Sequence, residues 1–164
     1  MEIFLRPYLE KDFDILFEIR NDFEMQFMLM VNPKPNTKNK TLQWIEKKTN
    51  GEDSVFFIIS NSKNESIGYI QATNIDHINK NCNIGIAVNK NWRGKGVAGK
   101  ALLSLENYLK NTFNIKKVVV EILCENMSSI KSFTKANYNH VGVLQKHFYA
   151  KNNFYDVCIL EKLI

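Results

Sequence analysis

The alternation of apolar and polar positions opens with IFLRP (3–7), a short strand pattern closed by a proline. The period then lengthens. In DFDILFEIRNDF (12–23), Phe13, Ile15, Leu16, Phe17 and Ile19 fall near helical spacing, and Asp12 stands where a helix cap belongs. Prolines and asparagines make VNPKPNTKNK (31–40) a loop, and TLQWIEKK (41–48) reads as a short amphipathic helix. From residue 54 the pattern turns β-rich in three runs: SVFFIISN (54–61), SIGYIQATNID (66–76) and NCNIGIAVN (81–89). Their short connections fit consecutive antiparallel hairpins. A helix over about residues 99–112 follows, with Ala101, Leu102, Leu105, Tyr108 and Leu109 on one face. KKVVVEIL (116–123) reads as a buried strand, and SSIKSFTKA (128–136) as a helix. The closing strands YNHVGVLQKHFY (138–149) and FYDVCILEKL (154–163) are joined through Lys151, Asn152 and Asn153.

The 164 residues, 45% hydrophobic and 12% aromatic, suffice for one core, so a single domain over 1–164 is expected. There is no repeat and no flexible linker, and no apolar run approaches the roughly 18 residues a membrane span needs. Glu2 follows Met1 at once and no small-residue cleavage site appears, so a cytoplasmic protein without a signal peptide is expected. Cys82, Cys124 and Cys158 lie far apart, in no metal or redox spacing, and their odd number argues against a disulfide framework. They are expected as three small buried apolar residues, with no metal site. The net charge of +5 is carried by scattered lysines with no recognition motif, which argues against nucleic acid. A polyphosphate ligand or lysine-rich solvation accounts for the same excess.

NWRGKGVAG (91–99) contains two phosphate-binding patterns at once. Gly94, Gly96 and Gly99 spell the dinucleotide fingerprint G-x-G-x-x-G, whereas Arg93, Gly96 and Ala98 spell R-x-x-G-x-A, suited to the pyrophosphate of coenzyme A. The first reading needs a glycine directly after a buried strand, yet Asn89 to Arg93 intervene between Val88 and Gly94. Upstream lies an antiparallel meander, and the roughly 65 residues downstream leave no room for a second mononucleotide half. The second reading accounts for the succession of strand, bare turn, amphipathic helix and strand. Missing side chains at Gly94, Gly96 and Ala98 let backbone N–H groups approach an anion, and the helix adds its N-terminal dipole.

IGIAVNKNWRGKGVAGKALLSL, the later ENMSSIKSFTKANYNHVGVL and the opening FLRPYLEKDF together resemble the GNAT superfamily of acetyl-CoA-dependent N-acetyltransferases. Within it they are most similar to the branch of ribosomal-protein N-terminal, spermidine and nucleotide-amino-sugar acetyltransferases. The resemblance implies an α/β (α+β) GNAT fold. That fold is a central mixed, mostly antiparallel sheet of about seven strands, flanked by about four helices. Two parallel strands, here 84–88 and 117–123, splay apart around acetyl-CoA. It implies pantetheine contacts from the backbone of Ile86, Ala87 and Val88, and pyrophosphate contacts from Arg93, Gly94, Lys95, Gly96, Val97 and Ala98, completed by Gly99 and Lys100. Asn126 corresponds to a residue that often touches the cofactor; its alternative role is to cap the next helix. A homodimer is compatible with the resemblance.

Two departures from the family pattern bear on mechanism. The tyrosine that protonates the departing thiolate is replaced by Phe133, which cannot donate a proton. Tyr138, Tyr149 and Tyr155 are candidates to replace it, Tyr138 first; Ser129 is a weaker one. The following Gly-Phe is Asn137-Tyr138, where Asn can still adopt a left-handed helix end. Relatives often carry a glutamate for the amine proton on the strand before the loop, where this chain has Asn83. A lysine-like amine is neutral about one time in 2,500 at pH 7, a cost of about 4.6 kcal/mol, against about 1.4 for an α-amine of pKa near 8. Without a base, the expected acceptor is therefore a peptide N-terminus, amino sugar or other small amine of low pKa, in preference to a polyamine. Attack would be direct, with strand N–H groups steadying the oxyanion; a cofactor-binding module with little catalysis, or a spermidine/polyamine acetyltransferase, is the alternative. Cys124 is read as inert because His77, His140 and His147 stand in no motif with it. Acids over 10–24 could attract a cation or form a solvated helix face. Arg20-Asn21 and QWIEKK instead resemble the amino-sugar nucleotide members, with Lys34, Lys38, Lys40, Lys47 and Lys48 available for phosphates. The two cues leave the acceptor open.

Overall fold

A computed structural model covers residues 1–164. Seven strands form one sheet: β1 (Ile3–Arg6), β2 (Val55–Asn61), β3 (Ser66–Asp76), β4 (Asn81–Val88), β5 (Lys117–Leu123), β6 (Asn139–Ala150) and β7 (Asn153–Leu163). Their order is β1-β2-β3-β4-β5-β7-β6, and β4 with β5 is the parallel pair among antiparallel neighbours. The helices are α1 (Phe13–Asn21), α2 (Phe23–Met28), α3 (Lys38–Thr49), α4 (Val97–Phe113) and α5 (Met127–Lys135). The expected mixed sheet with two parallel strands is therefore observed, with five α-helices where about four were expected.

Each face of the sheet is sealed by its own apolar layer. Alternation along β3 and β4 sends Ile70, Ala72, Cys82 and Ile84 toward Leu102 and Leu105 of α4 and Phe133 of α5. It sends Tyr69 and Ala87 the other way, toward Leu16 and Ile19 of α1 and Ile45 of α3. A third cluster, Phe27, Leu123 and Ala150, packs α2 across the end of β5 onto the β6–β7 hairpin. That hairpin turns through Lys151 and Asn152, both at positive φ (50° and 58°), as a two-residue turn following the strand twist requires.

The first helical pattern is two helices. Asp22 leaves helical geometry (ψ 104°) and caps α2 by accepting from the Met25 amide, so the chain bends there. Asp12 does not cap α1. Its buried carboxylate receives both outer nitrogens of Arg6 (2.6 and 2.8 Å), the Leu9 amide (2.8 Å) and the Ser66 hydroxyl. These bonds pin the first helices to β1 and β3. Burial alone would raise the Asp12 carboxyl, but the bonds from Arg6, Ser66 and Leu9 outweigh it and hold it below its ordinary value. On the opposite face buried Glu106 of α4 accepts from Tyr138 (2.8 Å) and pairs with Lys162 (2.6 Å). An acid among Leu102, Leu105 and Leu109 on the apolar face is the sequence signal for this network.

Two stability outcomes follow from these pairs. Glu106→Ala strands Lys162 and the Tyr138 hydroxyl, so denaturant titration should show a loss of about 3 kcal/mol or more. A lowered folded pKa means that Asp12 contributes stability fully above the unfolded carboxyl value of about 3.9 and loses it as pH falls through the folded value. Stability of Asp12→Asn, less at neutral pH, should therefore fall less steeply below about pH 4 than that of the wild type.

Candidate acetyl-CoA cleft and acceptor face

β4 and β5 pair at Asn81–Lys117, Cys82–Val118 and Asn83–Val119, and no further. Both strands continue, β4 to Val88 against β3 and β5 to Leu123 against β7, so their facing edges part beyond Asn83. Backbone groups on a strand alternate in direction. The Asn89 amide donates to Ile67 of β3, so Ala87 and Gly85 turn the same way, while Val88 and Ile86 turn into the gap. The sequence expectation is corrected at one position. Ile86 and Val88 present main-chain groups to the parting, whereas buried Ala87 directs its own to β3. The Val88 carbonyl already accepts from Arg93 Nε at 3.1 Å.

The loop after β4 ends in Gly94 (φ 74°) and Gly96 (φ 73°), left-handed conformations that a side chain would strain. A Cβ at either position would meet nothing within 4 Å, so the bare backbone borders open space. Gly96 is the N-cap of α4, which therefore has no side-chain cap, and no acid occupies its first turn. The amides of Val97, Ala98 and Gly99 thus begin a 17-residue helix with its dipole uncompensated, a seat for an anion. The Val97 side chain is buried in the core, so this residue can offer only its backbone. The three cations of the loop are engaged elsewhere. Arg93 reaches toward Asp22 (3.8 Å), Lys95 lies over the Trp92 ring (4.7 Å), and Lys100 donates to the Met1 carbonyl (2.6 Å).

Beyond β5, Asn126 caps α5 by accepting from the Ser129 amide at 3.2 Å. Asn137 ends that helix region at φ 67°, the left-handed conformation expected of it. Phe133 is buried edge-on against Tyr138, their centroids 4.9 Å apart. Tyr138 is a core residue, which corrects its nomination as the proton donor. Its hydroxyl is held by Glu106 on the α4 face, and burial, reinforced by the Glu106 charge, pushes its pKa far up. Cys124 and Cys158 form a disulfide, contrary to the expectation of three free thiols. Their separation of 34 residues hides the adjacency that β5–β7 pairing creates, with the two Cα atoms 5.2 Å apart. Cys82 remains free, and burial raises its thiol to about 11. No group of three or more His, Cys, Asp or Glu side chains is placed to hold a metal ion.

Asn83 lies on the other face, two positions from Gly85 and opposite Thr73. Next to it on that face is Gln71, opposite Gly85, whose buried Oε1 has no donor. Tyr69 follows, its phenol raised to about 12 by burial, inside an aromatic group with Phe56 and Trp44. Arg20 stacks 4.7 Å over Trp44. A hollow of about 660 Å³ lies between α3 and the far part of β3, with Lys47, Lys48, Glu46, Asp53 and Thr73, the partner of Asn83, among its lining residues. Of the acids over 10–24, Asp12 is consumed by Arg6, and Asp22 faces Arg93. Glu18, Asp22 and Glu24 line a separate hollow of about 600 Å³ beside Lys90. The roles of Gln71, Tyr69 and Trp44 in this face were not visible in sequence, because their proximity depends on register and on α3 docking.

Comparison with known proteins agrees with this arrangement. The family model described as an acetyltransferase (GNAT) domain matches residues 2–139. An uncharacterized N-acetyltransferase p20 of Bacillus licheniformis is 26% identical over 162 residues, covering 97% of this chain and 91% of that protein. Among solved structures, spermidine N-acetyltransferase from Vibrio cholerae in complex with CoA and spermine shares the fold at a TM-score of 0.90 and 17% identity, over 98% of this chain and 95% of that one. The microcin C7 self-immunity acetyltransferase MccE, in complex with acetyl-CoA and AMP, has a TM-score of 0.83 at 25% identity, over 99% and 93% of the two chains. With its parted parallel strands, its uncapped glycine turn and this match across most of its length, the chain belongs to the GNAT family of acetyl-CoA-dependent N-acetyltransferases.

Proposed function

We propose that the diphosphate of acetyl-CoA sits on the α4 N-terminus, that its pantetheine arm lies along Ile86 and Val88, and that its thioester reaches the parting near Asn83. The unpaired stretch of β4 beside an uncapped helix is the observation that carries this reading. The arm completes the hydrogen bonds that β5 leaves unmade, and backbone amides of Gly96 through Gly99 solvate the diphosphate. Arg93 exchanges the Val88 carbonyl for diphosphate oxygens, freeing an acceptor for the arm at the moment it supplies charge. Asn126 keeps its cap while its amide NH₂ turns to the pantetheine.

The acceptor attacks the thioester carbonyl directly as a neutral amine, the C–S bond breaks to release the thiolate without a side-chain proton donor, and the proton lost from the nitrogen passes to solvent water. Support comes from Phe133 and Tyr138 in the core and from Asn83 where a carboxylate would assist. Such a site favours an amine of low pKa over a polyamine, although the Vibrio cholerae neighbour is a spermidine enzyme. The same absences support a second reading, a cofactor-binding protein with little turnover. Tight acetyl-CoA binding without thiol release across peptides, amino sugars and polyamines would establish that second reading. We place the protein in the cytoplasm, where the Cys124–Cys158 pair would be a dithiol. The exposed edge of β6, with Val141, Val143 and Tyr149, is our candidate homodimer surface.

Gly96→Glu sets a carboxylate at the diphosphate seat and should abolish acetyl-CoA binding by calorimetry and thiol release together; unchanged rates would contradict the cleft. Tyr138→Phe should keep kcat within about threefold, because a working general acid is worth 10²–10⁴-fold, and a loss of that size would restore Tyr138 to the chemistry.

A further inference from the structure

We infer that the acceptor carries an anionic oxygen group, a phosphate or carboxylate, held by Arg20 while its amine is held by Gln71. The inference rests on the acyl-transfer reading and narrows its acceptor. Two buried side-chain atoms of the chain lack a hydrogen-bond partner, the donor Nε of Arg20 and the acceptor Oε1 of Gln71. Both belong to the face of the sheet covered by α1 and α3.

Arg20 is a guanidinium without a counter-charge. The ion pairs of the chain join Arg6 to Asp12, Arg93 to Asp22, Lys117 to Glu161 and Lys162 to Glu106; Arg20 is in none. Its Nη2 donates to Asn36 Oδ1 (2.9 Å), and its plane lies over Trp44. The surrounding amides are committed. Gln26 bridges the Arg20 and Lys34 carbonyls and the Lys34 amide, and Asn36 bonds the Arg20 carbonyl and Asn21. This network fixes the residue-34-to-36 loop beside Arg20 and offers Nε no oxygen. A guanidinium held rigidly against an aromatic plane with an unused N–H is suited to recognise phosphate or carboxylate.

The remaining charges nearby are mixed: Lys47 and Lys48 add to the positive field, and Glu46 and Asp53 oppose it. Burial, then Lys47 and Arg20, lowers the Lys48 ammonium, and the Tyr69 phenol stays neutral at physiological pH. Glu46 and Asp53 line the adjoining hollow with Lys47 and Lys48 but form no ion pair with them. Gln71 supplies the complementary end. Its side chain lies against bare Gly85, where a Cβ would come within 3.3 Å of Nε2. Gly85 is on β4 just beyond Asn83, where pairing with β5 stops. A ligand with an anion at Arg20 and an amine N–H on Gln71 Oε1 would satisfy both orphaned atoms and bring its nitrogen to the thioester.

The test is thiol release from acetyl-CoA with matched acceptors: glucosamine 6-phosphate against glucosamine, glycylglycine against glycylglycine amide, and spermidine. One anionic member should exceed its neutral partner in kcat/KM by about tenfold or more, the phosphate and carboxylate pairs telling the two sources apart. In Arg20→Gln that ratio should collapse to within about threefold, with Lys48→Gln as a second variant if Arg20→Gln is poorly folded. Equal use of charged and neutral partners, a preference for spermidine, or a preference that survives Arg20→Gln overturns the inference. If no acceptor turns over, calorimetric titration of inorganic phosphate and acetate into CoA-saturated protein decides. Binding lost in Arg20→Gln upholds it, and no binding overturns it. Failure to bind acetyl-CoA at all would instead refute the underlying acyl-transfer reading, and is measured separately.

Discussion

Two parallel strands that stop pairing after three residue pairs leave backbone hydrogen-bonding groups facing a gap, and the function we propose is arranged around that gap. Unpaired main-chain groups are costly when dry, so a parting of this kind persists only where the rest of the sheet holds both edges and where water or a ligand can supply the missing bonds. Here β3 grips β4 along its full length and β7 grips β5, so neither strand can drift across to the other. The covering layers differ on the two faces. α4 and α5 seal one with aliphatic side chains and the Glu106–Tyr138–Lys162 network, while the face under α1 and α3 keeps polar residues at its floor.

In the proposed reading, the loop after β4 makes this gap a cofactor site by what it lacks. Two left-handed glycines and an uncapped helix expose amides where most helices carry a capping side chain. In the free protein Arg93 links the end of β4 to the α1–α2 bend, contacting the Val88 carbonyl and lying near Asp22. One residue thus connects the glycine loop, the parting and the helices over the face where we place the acceptor. Binding at one end is expected to be felt at the other.

Legibility from sequence followed the range of the interactions. The strands and helices after residue 54 could be read because alternation and helical spacing are local, and the glycine turn because positive φ leaves a chemical mark in residue choice. The α1–α2 break escaped because Asp22 sits inside one continuous apolar period. Asp12 was misassigned as a cap because its partners, Arg6 and Ser66, come from separate strands. The Cys124–Cys158 bond and the unpaired Gln71 depend on which strands become neighbours, which no local pattern carries. Phe133 and Asn83 were informative as departures. Against the family pattern they implied that the usual proton-handling groups are missing, and the burial of Tyr138 is consistent with that.

A crystal structure of the protein with acetyl-CoA bears most directly on the central claim. The account predicts diphosphate oxygens within hydrogen-bonding distance of the amides that begin α4, pantetheine amides bonded to Ile86 and Val88, and Arg93 released from the Val88 carbonyl. Cofactor bound away from the parting, or β4 and β5 found zipped together beyond Asn83, would contradict it.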